Sequence, residues 1–597
     1  MRALIKLFWA ILAISAGTTL LHADDATIPG AVTSPYPTLR NIAIEWQIEG
    51  DDNINGVVSV SYRDTGQLDW KQGMPLRRIP AATWAEQRED RTEASRSWGN
   101  KHSGSIFDLQ PDTKYEIRVC LHDPDGGDAE RTLRVQTRPV PEAMENAPVK
   151  YAHPGNFEEI AANAKPGDII LLGPGNYGYV ALTRDGLPGK PIVFRADPDG
   201  RFEFQDTHSG DALFEGISLQ GRKHVYLEGL VSDGTIDLFN AEACVIRRCR
   251  IYGTFGIVSS WTGNMGRKWA PSVSKRMKKP PVSDGMPVPF AKNCYNADNI
   301  ITGMTQWSLD AIGPAGKNIG EGIEINGPGN VICHNRVTGF RDCISTLEGR
   351  YAIEQVCIDI YNNDIYTGPD DGIEADYTMG NCRIMRNRIT NCGIGLSSQP
   401  GLGGPTYFIR NVMYNMYNMA YKFYRNSVGD IVLHNTVVKS GHGAICRARA
   451  TWSQGYFRNN IGIGGKGIVE REGAPMAAFF PGADNTCDFD YNGYGMVGLP
   501  FQGNIRGITF DSQASMRANT GEKHGMRVGL DIFAAPIVIP NPPMLHWQPP
   551  DLRLRVDSDA VDAAIVIPNI NDIYTGTAPD LGAYELGQEM PVYGPRP

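Results

Sequence analysis

The sequence has no CxxC pair, and its 11 cysteines are an odd number, so a complete disulfide framework is excluded and a zinc ribbon has no support. Charge of one sign is scarce as well. A formal net charge of -9 over 597 residues is modest and leaves no global footprint for nucleic acid. Long apolar runs are missing too. The stretch Leu7 to Ala16 is shorter than the roughly 20 residues that span a bilayer, and no later segment reaches that length, so a transmembrane segment is not expected. With Arg2 and Lys6 before it and Leu21-His22-Ala23 after it, that stretch reads as a secretory signal over residues 1–23, which implies a secreted or periplasmic protein. The remaining chain exceeds what one hydrophobic core usually organises, so at least two folded units are expected.

Two architectures are legible. From about residue 32 to 140, short alternating runs such as Ile42-Ala-Ile44-Glu-Trp46 and Tyr115-Glu-Ile117-Arg-Val119 are separated by polar turns, as an all-β sandwich requires. The stretch Leu109-Gln-Pro111-Asp-Thr113-Lys-Tyr115 and the exit through Thr137 and Pro139 resemble the fibronectin type III family. The polar stretch around Trp84 to Lys101 departs from that pattern. The resemblance implies a spacer or subsite wall with no catalytic group.

The second architecture declares itself by a repeat. Asn-x-apolar triplets begin at Asn363, Asn387, Asn411, Asn435 and Asn459, each 24 residues after the last, and Asn335 precedes the set at 28. Such a period marks a solenoid, and short β-branched runs between Asn and Gly favour strands over paired helices. The expected fold is therefore all-β: a right-handed parallel β-helix over 149–500, closed by a helix end and tail over 501–597, behind the N-terminal fibronectin type III-like β-sandwich. Pro166-Gly-Asp168-Ile-Ile-Leu-Leu172, the Asn column and Asp580-Leu-Gly-Ala-Tyr584-Glu585 resemble the pectin-lyase-like superfamily, which implies an exported polysaccharide lyase or glycoside hydrolase. The asparagines read as corner-stabilising residues able to take left-handed backbone angles, and Cys333, Cys357, Cys382 and Cys392 as buried thiols.

Strict alternation along each coil sends Glu324, Ser345, Glu374, Gly395, Lys422 and Cys446 outward in one column, and Asn326, Leu347, Asp376, Ser397, Tyr424 and Ala448 in a second. Tyr421 and Phe423 point inward. A strip combining carboxylates with Lys422, Tyr424 and Arg425 suits work on a glycan; the alternative is an ordinary solvated face. The basic run from Arg267 to Lys279 reads as a loop that would attract an anionic polymer.

The leading reading is β-elimination on a uronate-containing, anionic polysaccharide. Lys422 would act as base, Tyr424 or Arg425 would steady the leaving oxygen, and Glu324, Asn326, Glu374 and Asp376 would hold calcium. Glu374-Ala-Asp376 with Lys422 and Arg425 is similar to the site of calcium-assisted β-helix lyases, which is where those roles are implied. Glycoside hydrolysis is the alternative, using Asp370, Asp371, Glu374, Asp376 and Glu324. Asp370-Asp371 and Gly441-His442-Gly443 resemble polygalacturonase elements, which brings in His442 as a further candidate. A noncatalytic glycan-binding protein is the third reading. Sugar, linkage and oligomeric state stay open.

Overall fold

The computed structural model describes residues 25–85, 95–197, 211–260, 288–446, 451–468 and 473–597. The expected signal over 1–23 and the basic run Arg267–Lys279 lie outside the described residues, as do Arg447 and Ala448. No helix among the described residues is long and apolar enough to cross a membrane.

The N-terminal unit is antiparallel. Strands Ile28–Thr33, Ile42–Glu49, Lys101–Ile106, Lys71–Ile79, Val57–Asp64, Lys114–His122 and Ala129–Gln136 adjoin in that spatial order. Their inward residues, among them Ile44, Trp46, Val60, Ile117 and Val119, form a separate core. The polar stretch that departs from the sandwich pattern contains a hairpin of Ala82–Ala85 against Ser95–Trp98, which leaves the sandwich and rests on the second unit.

That second unit is a parallel β-helix. One face is a 13-stranded sheet running from Val149–Ala152 to Asp488–Asp490, and a 19-stranded sheet wraps the other sides. Ile, Val, Leu, Phe and thiol side chains fill the interior in stacked columns. All cysteines are free, and every one but Cys120 is buried. A short helix, Phe157–Ala162, caps the first coil by setting Phe157 against Tyr177, Phe194 and Phe214.

The asparagine column is real. Asn335, Asn363, Asn387, Asn411 and Asn435 are fully buried. The Oδ1 of each accepts from both the backbone N–H and the Nδ2 of the asparagine one coil earlier, as in Asn387 N to Asn411 Oδ1 at 3.0 Å and Asn387 Nδ2 to the same atom at 3.0 Å. Its Nδ2 also reaches a carbonyl one coil back, so both ends of each amide are used. Two details correct the sequence reading. The left-handed residue is the one before each ladder asparagine (Arg386, Arg410 and His434, with φ of 51°, 55° and 54°). And the ladder steps to Asn460, because Asn435 N donates to Asn460 Oδ1 at 2.8 Å. Asn459 takes the left-handed turn and instead exchanges bonds with the backbone of Ile565.

The two units are joined by buried polar bonds. Arg383, fully buried, donates to Asp359 at 2.6 Å and to Ser105 Oγ at 3.2 Å, while Asn41 donates to the other Asp359 oxygen at 2.8 Å. The final segment then runs back along the left-handed corners. Gly582 N bonds Asn459 O, Gly594 N bonds Asn362 O, Arg596 grips Asp298 at 2.6 Å and Arg248 reaches Pro597 O at 3.3 Å.

Candidate functional site

A bend in the 19-stranded sheet builds the site. At each of five successive coils the chain reads outward, inward, inward, outward: Glu321-Gly-Ile-Glu324, Asp342-Cys-Ile-Ser345, Asp371-Gly-Ile-Glu374, Ile394-Gly-Leu-Ser397 and Met419-Ala-Tyr-Lys422. The register fixes the stacking: Glu321 pairs with Asp342, Glu324 with Ser345, Ser345 with Glu374, Glu374 with Ser397 and Ser397 with Lys422. Two inward residues in succession need a small one at the corner. A Cβ added at Gly372 would stand 2.6 Å from Ile389 Cγ2, and one at Gly322 2.3 Å from Val337 Cγ1.

This geometry keeps Glu324, Ser345, Glu374 and Lys422 in one outward column, as strict alternation had them, but replaces Gly395 with Ser397. It also turns Cys446 inward beside Tyr421, so that column ends at Lys422. The missed column is Glu321, Asp342, Asp371, Ile394, Met419. Its first half is acidic and its second half apolar, where Ile394 and Met419 pack with Ile445, Phe479 and Tyr424.

The strip is not a solvated face. Glu324, Asp342, Asp370, Asp371, Glu374, Asp376 and Lys422 are all buried. Arg341 and Glu348, with side chains 29% and 21% exposed, mark its edge toward solvent. Among the described residues, eight carboxyls gather there (Glu321, Glu324, Asp342, Glu348, Asp370, Asp371, Glu374, Asp376) with three cations, Arg341, Lys422 and Arg425. Lys422 Nζ bonds Asp371 Oδ2 and lies 3.5 Å from Glu374 Oε1. Arg341 lies 3.0 Å from Asp342 and 3.6 Å from Asp370. Asp371 Oδ1 and Glu324 Oε2 are buried without a hydrogen bond.

So many like charges out of water cannot all ionise. Burial, followed by the charge of Glu374, pushes Asp376 and Glu324 each up to about 8. Burial pushes Asp342 up to about 7 despite Arg341, and it also raises Asp370 and Asp371. Glu374 moves the other way: burial works against its charge, but Lys422 and Arg341 outweigh that and hold it below the usual carboxylate range. For Lys422, burial disfavours the ammonium, yet Asp371, Glu374 and Asp376 together raise it well above the ordinary lysine value. That direction is opposite to the one a proton-accepting role requires, because the surrounding carboxylates favour the ammonium.

The other expected residues lie as follows. Asp376 accepts from Ser397 Oγ at 2.6 Å and Gln399 N at 2.8 Å. Arg425 donates to Tyr377 OH at 3.0 Å and stands 4.0 Å from Glu348. The sandwich hairpin supports it: Trp84 donates to Arg425 O at 2.7 Å and packs edge-on against Tyr377 at 5.4 Å. Tyr424 sits in the apolar half, its hydroxyl 3.7 Å from Met419 Sδ. His442 is buried beyond it, stacked on Phe479 at 4.8 Å with Nδ1 accepting from Met476 N, away from the carboxyls.

Two carboxylate triads are shaped for a cation. Asp342, Asp370 and Asp371 form one and Glu348, Glu374 and Asp376 the other, with the oxygens in each triad within 4.8 Å of one another. Asn326 does not join them, because its Oδ1 accepts from Ile353 N at 2.7 Å and its Nδ2 donates to Pro289 O. Glu324 belongs to neither triad. Set against known proteins, the chain matches no family model and no curated protein.

Proposed function

We propose that this protein hydrolyses a glycosidic bond of a polysaccharide, as an exported enzyme of the pectin-lyase-like β-helix type. The observation that carries this reading is the unequal surroundings of two neighbouring buried carboxyls, whose oxygens approach within 4.8 Å: Lys422 Nζ lies 3.5 Å from Glu374 and favours its charge, while burial and the charge of Glu374 push Asp376 up to about 8. Hydrolysis of a glycoside needs that pair, one carboxylate to activate water or attack carbon and one carboxylic acid to protonate the leaving oxygen. Glu374 takes the first role and Asp376 the second. Lys422 and Arg341 keep Glu374 charged, and Arg425 stands at the solvent edge where a sugar hydroxyl or carboxylate would arrive.

The apolar half of the strip extends the same surface along the helix axis and offers Tyr424 to a neighbouring sugar ring. Elimination with Lys422 as base is disfavoured by its protonated state. Calcium is the second reading of the same oxygens, with Glu348, Glu374 and Asp376 as ligands suited to a hard cation.

A panel of purified glycans tests the proposal, read for new reducing ends and for the absorbance of a new double bond. Reducing ends without the chromophore are expected. Glu374→Gln should lower turnover by roughly 10² to 10⁴ while the protein stays folded. Appearance of the chromophore would refute hydrolysis. Full activity in chelator rejects calcium, and loss restored by calcium supports it.

A further inference from the structure

Away from the acidic strip, on the side of the 13-stranded sheet, a cavity of about 910 Å³ opens where the sandwich, the left-handed corners and the final segment meet. That size falls within the range of small-ligand sites. Its charged floor comes from the ladder. Arg386 and Arg410 are the left-handed residues just before Asn387 and Asn411, so they leave the helix from adjacent coils about 4.8 Å apart. Burial, and then the charge of Arg386, lower the pKa of Arg410, whereas burial at Arg386 is outweighed by Asp108, which raises it.

Of the carboxylates around them, Asp108 is the one seen bonded to this pair among the described residues. Asp108 binds Arg386 with both oxygens, at 2.9 and 2.5 Å. Arg410 donates to Ala583 O at 3.2 Å. Glu585, facing Arg410 from the final segment, has its two oxygens committed to Thr575 N and Asp580 N at 3.1 and 3.0 Å. Asp580 likewise accepts from Asp562 N and Leu586 N. Two guanidiniums thus share one bonded carboxylate. The floor stays within reach of solvent, with the Arg386 and Asp108 side chains 23% and 41% exposed. Tyr62, Phe107 and Tyr584 supply ring surface on the walls. Lys71, Asp572 and Glu589 also line the cavity, so the positive groups are confined to the arginine floor and Lys71, and the surrounding carboxylates repel a dense polyanion.

We propose that this cavity is a second glycan site, separate from the acidic strip, that takes a sugar bearing a single carboxylate. The carboxylate lies on Arg410 and Arg386, whose planar donors suit two-oxygen recognition, and the sugar ring lies against the aromatic wall. The site holds the end or a side group of an acidic glycan without cutting it.

Calorimetric titration of the full chain with D-galacturonate, D-glucose and acetate tests this. Galacturonate should bind saturably, acetate about tenfold more weakly for want of the ring contacts, and glucose not measurably. Arg410→Gln should weaken galacturonate about tenfold. Asp108→Asn should tighten it several-fold, because it removes the competing carboxylate while asparagine still tolerates the φ of 55° at that position. If Arg410→Gln fails to fold, the direction of change in Asp108→Asn decides. The proposal is overturned if galacturonate does not bind, if glucose or acetate binds as well as galacturonate, or if affinity is unchanged in the folded variants.

Discussion

Two columns of buried polar side chains run along this β-helix, and they are opposite in kind. In the asparagine ladder every amide oxygen meets two donors and every amide nitrogen meets acceptors, coil after coil, until the column ends on Glu522, whose carboxylate takes Asn492 Nδ2 at 2.8 Å. In the acidic strip, among the described residues, eight carboxyls share three cations, and oxygens of Asp371 and Glu324 are buried without a hydrogen bond. Burying a satisfied amide is nearly neutral, whereas burying an unpaired carboxylate is costly. The ladder therefore fixes the stacking of the coils at little cost, and the strip is held in place at the expense of stability, as expected of a site kept for chemistry.

The comparison is broken most severely by taking away the strip's central cation. Lys422→Met should leave Asp371 and Glu374 without their counter-charge and lower stability by about 3–5 kcal/mol in denaturant unfolding. A change near zero would mean that the neighbouring carboxyls are already neutral. Asn411→Ala comes next. It strips the backbone N–H and Nδ2 of Asn387 of their acceptor and the Oδ1 of Asn435 of one of its two donors, the backbone N–H of residue 411 remaining, at about 2–3 kcal/mol, while leaving glycan cleavage by the remaining protein intact. Loss of activity in folded Asn411→Ala would deny the division of labour between the columns.

The smallest expected effect is on pH dependence. Glu324 has a folded-state pKa of about 8, far above its unfolded value, so it contributes stability at low pH that is lost as pH rises through about 8. The melting temperature should accordingly fall between pH 5 and 9. Glu324→Gln, which cannot ionise, should flatten that fall by a few degrees. An identical slope in the variant would show that Glu324 is not among the groups that titrate.

The ladder was legible because it is periodic: a 24-residue spacing needs no knowledge of side-chain direction, and it slips only where Asn460 replaces Asn459. The strip was half legible. Alternation placed Glu324, Glu374 and Lys422 in one column, since those residues follow the bend, but it overlooked Glu321, Asp342 and the stacking of Asp371, which precede it. A period of two cannot survive a corner where two residues in succession face inward. The signal was present in the recurring small residue before each inward apolar one: Gly322-Ile323, Cys343-Ile344, Gly372-Ile373, Gly395-Leu396, Ala420-Tyr421. Burial of the strip and the reversal of the lysine shift were not legible, because both depend on which distant segments cover and surround it. The hairpin bearing Trp84 is one such segment, more than 300 residues from the Arg425 it supports.

The returning final segment has a consequence for how the molecule assembles. A solenoid of stacked coils ordinarily melts from its ends, one repeat at a time, because each coil touches only its neighbours. Here Gly594 and Arg596 fasten to coils laid down some 230 to 300 residues earlier, at Asn362 and Asp298. The stretch of helix between those coils and the one bearing Asn459 is thereby clasped from outside, so its repeats open together or not at all. During synthesis the clasp can close only once the segment around Gly594 and Arg596 is free of the ribosome, which makes the docking of that segment the step that converts a row of separable coils into a single cooperative body.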